Sequence, residues 1–224
     1  MPAASQRHPK APQLARDLEP RGVTPSEVFA DEAMHEGIVL ENAQCGGPLA
    51  TGVELRNFVL SDVDLSGAKL DRLELEDGSI KHSNLGNLRS QSCSFHRVEI
   101  EACRLTGATL VEPRLLDVVF RNSPIDLSSF RFGHLNRVRF EGCRLVEADF
   151  QAVSAKACTF VDCDLSGAQL SQGTFAGSAF RGCRLDGVHG LEALKGAQMA
   201  WGDVMELATA LAASIGIEVR DDIS

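Results

Sequence analysis

The chain has 224 residues with a formal charge of −9, 20 Gly, one Trp and no Tyr, so a conventional aromatic-rich core of this size is not expected. No run of about 18 apolar residues occurs, which argues against a membrane-spanning helix. Seven cysteines, an odd number with no CxxC pair, point to a reducing cytoplasm rather than a disulfide framework.

Residues 1–32 come first. The stretch RHPKAPQLARDLEP mixes Pro and charge with scattered apolar anchors and has no apolar h-region. It predicts an extended arm and no secretory signal, either fastened to the outside of the next unit by Leu14 and Leu18 or left as a plain disordered tail.

From 33 to 190 one pattern takes over. Every fifth residue from Leu55 to Leu185 is a centre, and of these 27 positions 25 are Leu, Ile or Phe, the exceptions being Ser90 and Ala155. The position two before each centre is mostly small or β-branched, as at Val63, Ala68, Cys93, Val98, Cys143 and Cys163. A period of five fits neither a helix nor a strand. It fits an extended chain that turns a corner every five residues, always with the same positions inward, so that stacked coils bury a core no single repeat could bury. Phe120, Phe140, Phe160 and Phe180 recur at twenty, which favours four sides per coil. At a sheet-like spacing of about 4.8 Å, like side chains form ladders along a rod on the order of 32 Å long.

Units such as CRLVEADF (Cys143 to Phe150) and CDLSGAQL (Cys163 to Leu170) resemble the pentapeptide-repeat proteins over roughly residues 50–190. The register reaches back to about 36 through Leu40, Ala43 and Cys45. This resemblance implies an all-β fold, a right-handed quadrilateral β-helix, but specifies little about function.

Three places depart from the metre. Leu88 and Ser90 exchange the expected sizes, and Val153 with Ala155 offers an underfilled coil. The segment NSPIDLSSFRFGHL (Asn122 to Leu135) keeps register but lacks the usual Gly and Asp corners, which leaves open either an unbroken wall or a five-residue bulge.

Residues 191–224 change period. Val204, Leu207, Leu211 and Ile215 lie at helical spacing, with Asp203 placed to cap the start and Gly216 to stop the helix. A bare last coil would expose core and an unpaired edge, so a C-terminal α-helical cap is expected. The resemblance to quinolone-resistance members of the family implies that this helix pairs two copies tail to tail. The alternative is a monomeric cap whose apolar stripe is spent on its own rod.

No catalytic constellation emerges. His8, His35, His82, His96, His134 and His189 fall mostly at outward positions of different repeats, and no glycine-rich phosphate loop opens a helix. Cys143, Cys163 and Cys183 stack on one face but point in parallel, which suits small core residues better than a tetrahedral metal site. The expectation is no enzyme, no cofactor and no metal.

Function then falls to the outer walls. Leu127, Phe132 and Val146 occupy positions that face water and form a candidate partner patch. The reading is a protein-binding rod whose partner is unknown, with neither membrane nor direct nucleic-acid contact. The alternative, implied by the resemblance, is a DNA-mimicking binder of type II topoisomerase (DNA gyrase) that gives quinolone or toxin resistance. Duplex DNA carries about one charge per 1.7 Å, so a full disguise over 32 Å would want roughly 19 negative charges. Residues 51–190 carry 18 acids and 16 bases, net −2, and residues 103–144 hold seven Arg against four acids.

Overall fold

The structure is a computed structural model that describes residues 8–14, 18, 22–214 and 216–219. Its architecture is a right-handed quadrilateral β-helix of about eight turns. Parallel pairing joins each residue to the one twenty further on: Leu55 to Leu75, Leu75 to Phe95, Phe95 to Leu115, and Leu115 to Leu135. A second column runs Leu60, Ile80, Ile100, Phe120, Phe140, Phe160 and Phe180 in the same register. Faces are named here by their centres in one coil: Leu55, Leu60, Leu65 and Leu70.

The corner is a backbone conformation. Every fifth residue from Glu32 to Gly187, two after each centre, has φ between 48° and 76°. This left-handed kink turns the extended chain onto the next face. Asn, Asp and Gly adopt it readily, and Asn42, Asn57, Asp62, Asp77, Asn87 and Gly67 do so here. Bulkier residues are held there by the coil, among them Leu127 and Phe132.

The core is two materials in one tube. Toward the N-terminus mostly Leu and Ile fill it. Beyond residue 120 it becomes a phenylalanine stack: Phe120, Phe140, Phe160 and Phe180 lie nearly parallel with centroids 4.8, 4.9 and 4.7 Å apart. Phe130 and Phe150 form a second stack at 5.1 Å, set edge-on to the first at 6.1–6.3 Å. These rings are at most 1% exposed, and burying each contributes about 1.5–3 kcal/mol before entropy is charged.

The irregular centres are absorbed. Leu88 and Ser90 both point inward, and the Ser90 hydroxyl donates to the carbonyl of Leu70 one coil below. Beside small Ala155, Phe175 tilts by 57° against Phe160 and Phe180 instead of stacking. The segment Asn122 to Leu135 is unbroken wall: Ile125, Phe130 and Leu135 are buried, and Leu127 N–H bonds to Val146 C=O at 3.0 Å.

Both ends differ from the sequence expectation. The extended arm expected over 1–32 contains the helical turn Pro25–Val28, opened by Pro25 and by the Thr24 N–H to Glu27 carboxylate bond at 2.8 Å. Its Val28 and the following Phe29 plug the first coil. At the other end the sheet continues past residue 190, because Gln198–Met199 pairs with Ala179 and Phe180. The expected single helix is two, Trp201–Glu206 and Ala208–Ser214, interrupted at Leu207. Ala200 stands at the cap, while Asp203 accepts the Gly182 N–H at 3.3 Å and ties the helix to the last coil. Gly216 does end the second helix: at φ 82° its N–H bonds to Ala213 and that of Ile217 to Ala212, a Schellman closure.

Candidate interaction surfaces

The inside of the tube is filled by side chains. The void lined by Leu55, Leu75, Phe95 and Leu110 measures about 20 Å³, room for about one water. Among the described residues no group of three or more His, Cys, Asp or Glu side chains is placed to hold a metal ion. The thiols are core atoms: burial pushes Cys93 up to about 12, and Cys103 and Cys158 up to about 11. Cys163 lies well above the ordinary thiol range, through its bonds to Cys143 and Cys183 and then through burial.

The candidate patch is divided by the corners. Leu127 is 61% exposed and sits directly against half-buried Val146 of the next coil. Phe132 lies one full face away. It lines an open groove of about 720 Å³ that runs along the rod past Glu32, Glu74 and Arg114 to His134. The Arg131 guanidinium stands 5.4 Å over its ring, a cation–π contact.

Most of the basic belt is paired in place. Arg121 pairs with Glu99 at 3.0 Å, Arg139 with Glu141 at 3.0 Å, Arg131 with Asp149 at 3.6 Å, and Arg144 with Asp126 at 2.6 Å.

One corner column is more organised than the rest. Asp77, Arg97, Asp117 and Arg137 follow one another at spacing twenty on the corner after the Leu55 face. Arg97 clasps Asp77 through two bonds of 2.5 Å, and Arg137 clasps Asp117 through two of 2.6 Å. The Arg97 bonds, opposed by burial and aided by the Gln13 N–H, hold the Asp77 carboxyl below its usual range. For Asp117 burial acts upward first, but bonds from Arg137 and Lys10 outweigh it and the net direction is down.

The N-terminal arm lies on this column. Lys10 N–H donates to Asp117 Oδ1 at 3.1 Å and Gln13 N–H to Asp77 Oδ1 at 2.9 Å. His8, Pro9 and Ala11 face Glu99, Val119 and Arg121 across a cleft of about 320 Å³. Val119 occupies an outward position yet is 6% exposed. Leu14 does not serve as the expected anchor, being 38% exposed; backbone bonds to aspartates hold the arm instead. Sequence reading missed this surface, although the alternation Asp77, Arg97, Asp117, Arg137 was visible at the coil period.

At the C-terminal end Leu207 is 4% exposed and Leu211 packs on the same core, so these two members of the expected dimer stripe close their own rod. Val204 is half-buried, and Ile215 lies outside the described residues. The exposed apolar side chains here are others: Trp201 at 77%, Met205, Ile217 and Val219. Among the described residues no helix is long and apolar enough to cross a membrane.

Four five-residue faces per coil, two inward side chains per face and a left-handed corner build a solenoid of the pentapeptide-repeat kind. A family model described as a pentapeptide repeat region matches residues 133–193. Among solved structures, the chain is similar to HetL, a pentapeptide repeat protein involved in heterocyst differentiation regulation from the cyanobacterium Nostoc, at 18% identity over 77% of this chain and 89% of that one, TM-score 0.35. It is also similar to QnrB1, a plasmid-mediated fluoroquinolone resistance protein, at 20% identity over 86% and 92%, TM-score 0.38. A third is Rfr23 of the cyanobacterium Cyanothece, at 14% over 62% and 88%, TM-score 0.21. No curated protein matches the chain. The fold is read from the coil itself, and the family match covers its C-terminal part.

Proposed function

We propose that this chain is a non-enzymatic, protein-binding rod. The observation that supports this reading is the filled tube: with an interior void of about 20 Å³, recognition is left to the walls. Those walls carry paired charge, an exposed apolar corner at Leu127 and Val146, and a lengthwise groove ending at Phe132. The test is affinity capture from the host with wild-type rod, with Leu127→Asp/Val146→Asp and with Phe132→Asp. A partner retained by wild type and lost with a wall substitution supports the reading. A catch indifferent to every wall substitution, or no catch, opposes it.

The DNA-mimic alternative has overall acidity in its favour and charge placement against it. The solenoid nets −2, and Arg121, Arg131, Arg137, Arg139 and Arg144 of the belt are matched by carboxylates rather than standing apart from acidic ends. Pairing of two copies is proposed through the rod's C-terminal end, carried by Trp201 and Met205 one helical turn apart rather than by Leu207 and Leu211.

A further inference from the structure

The arm and the pitch of the coil share a spacing that neither needs for its own folding. Lys10 N–H and Gln13 N–H are three residues apart, and the aspartates they reach are two coils apart. Two coils rise about 9.6 Å at sheet spacing. Three residues of polyproline-II chain rise about 9.3 Å and complete one turn, bringing the N–H back to the same side. A β-strand would not do this, because residues 10 and 13 would point to opposite sides. Pro9 and Pro12 stand at the same interval, each just before a donor, and each restricts φ to the value that conformation needs.

The acceptors are held ready. Arg97 and Arg137 each fix one carboxylate by a two-point clasp, and in each the Oδ1 that takes the arginine Nε–H also takes the N–H of the passing chain. The Lys10 ammonium adds its field at Asp117, so a basic residue is favoured at the donor position. Between arm and wall the cleft beside Val119 leaves space for side chains larger than Ala11.

We propose that the Asp77–Arg97–Asp117–Arg137 corner is a docking track for a basic, proline-containing segment in the polyproline-II conformation, supplied by a partner protein, and that the chain's own arm is its resident occupant. This rests on the reading of the chain as a protein-binding rod and gives that partner a chemistry. The track reads main-chain N–H groups every third residue against carboxylates every second coil. Proline spacing therefore sets specificity, and the tethered arm sets a threshold that an incoming segment must exceed.

The experiment is fluorescence polarisation with a labelled octapeptide RHPKAPQL, the sequence of residues 7–14, against full-length protein. Wild type is compared with the full-length variant Pro9→Gly/Pro12→Gly, whose arm is loosened while its solenoid is untouched; equal melting temperatures establish that. The variant is expected to bind the peptide about tenfold more tightly than wild type, an order set by one or two charge-assisted hydrogen bonds. Adding Asp77→Asn/Asp117→Asn removes that gain, and a peptide with one residue inserted between its prolines binds about tenfold more weakly. Absence of binding to the folded variant, equal binding of the shifted peptide, or a concentration-dependent dimer that exchanges arms would each overturn the proposal. A partner captured through the Leu127 corner while the peptide fails would sink this inference and leave the protein-binding reading standing.

Discussion

Phe58 and Gly78 are register partners on neighbouring coils, and the ring of one occupies the side-chain space of the other. A Cβ on Gly78 would lie 2.0 Å from the Phe58 ring. Both stand two before a centre, where the same column elsewhere holds Val98, Val118, Val138 and Cys158. Gly78→Ala is expected to destabilise the rod by about 1–3 kcal/mol through overpacking. Phe58→Val with Gly78→Val restores the Val ladder and stands near wild type. Thermal melts of the single and double variants check both; an innocuous Gly78→Ala would show that the coils are not packed as described.

Leu127 combines a φ of 56° with 61% exposure, so it carries backbone strain without burial in return. Leu127→Asn is expected to stabilise the fold by about 1 kcal/mol, read from denaturation, while weakening any partner that uses this corner. A loss of stability would mean that Leu127 is packed against something in solution.

Asp77 and Asp117 have folded pKa values below the ordinary 3.8. Their contribution is therefore complete above that value and disappears as the pH drops through the folded ones. The melting temperature should be level between about pH 5 and 8 and fall below about pH 4. In Asp77→Asn/Asp117→Asn the curve starts lower and descends less steeply. An identical slope in the double variant would mean that other carboxylates carry the acid response.

The cysteines should behave as buried hydrophobes. Cys163→Ala is expected to cost about 1 kcal/mol and to leave partner capture unchanged. Mass spectrometry after iodoacetamide treatment of native protein should find Cys93, Cys103, Cys158 and Cys163 unmodified until denaturant is added. Rapid native labelling at Cys163 would contradict the burial.

The proposed pairing of copies predicts association of the wild type in sedimentation velocity, abolished by Trp201→Ser/Met205→Ser without lowering the melting temperature. Leu207→Ser should instead loosen the rod's end. If Leu207→Ser separates the copies while Trp201→Ser/Met205→Ser does not, the exposed face has been misassigned.

The coil was legible because its signal repeats: an inward Leu or Phe every five residues and a small residue two before it cannot fit another period. The four-sided count followed from Phe120, Phe140, Phe160 and Phe180, which stack as that spacing requires. The ends were less legible because each occurs once. Helical spacing identified Leu207 and Leu211 as apolar but not what they face, and packing on the last coil was the nearer use. Thr24, Pro25 and Glu27 spell a helix start that the surrounding charge and proline masked. The arm's anchorage was hidden for a different reason: main-chain donors have no sequence signature, and only their acceptors, Asp77 and Asp117, do.

Site-specific photo-crosslinking in the host decides whether recognition belongs to the walls of the filled rod. A photoreactive side chain is placed at one outward position per face, for example Arg56, Glu101, Thr106 and Val111, and at Leu127. Adducts of one defined partner are expected, confined to one or two adjacent faces and abolished by a charge-bearing substitution on that wall. A rod that yields no adduct from any face, or the same background from all of them, would contradict recognition by the walls.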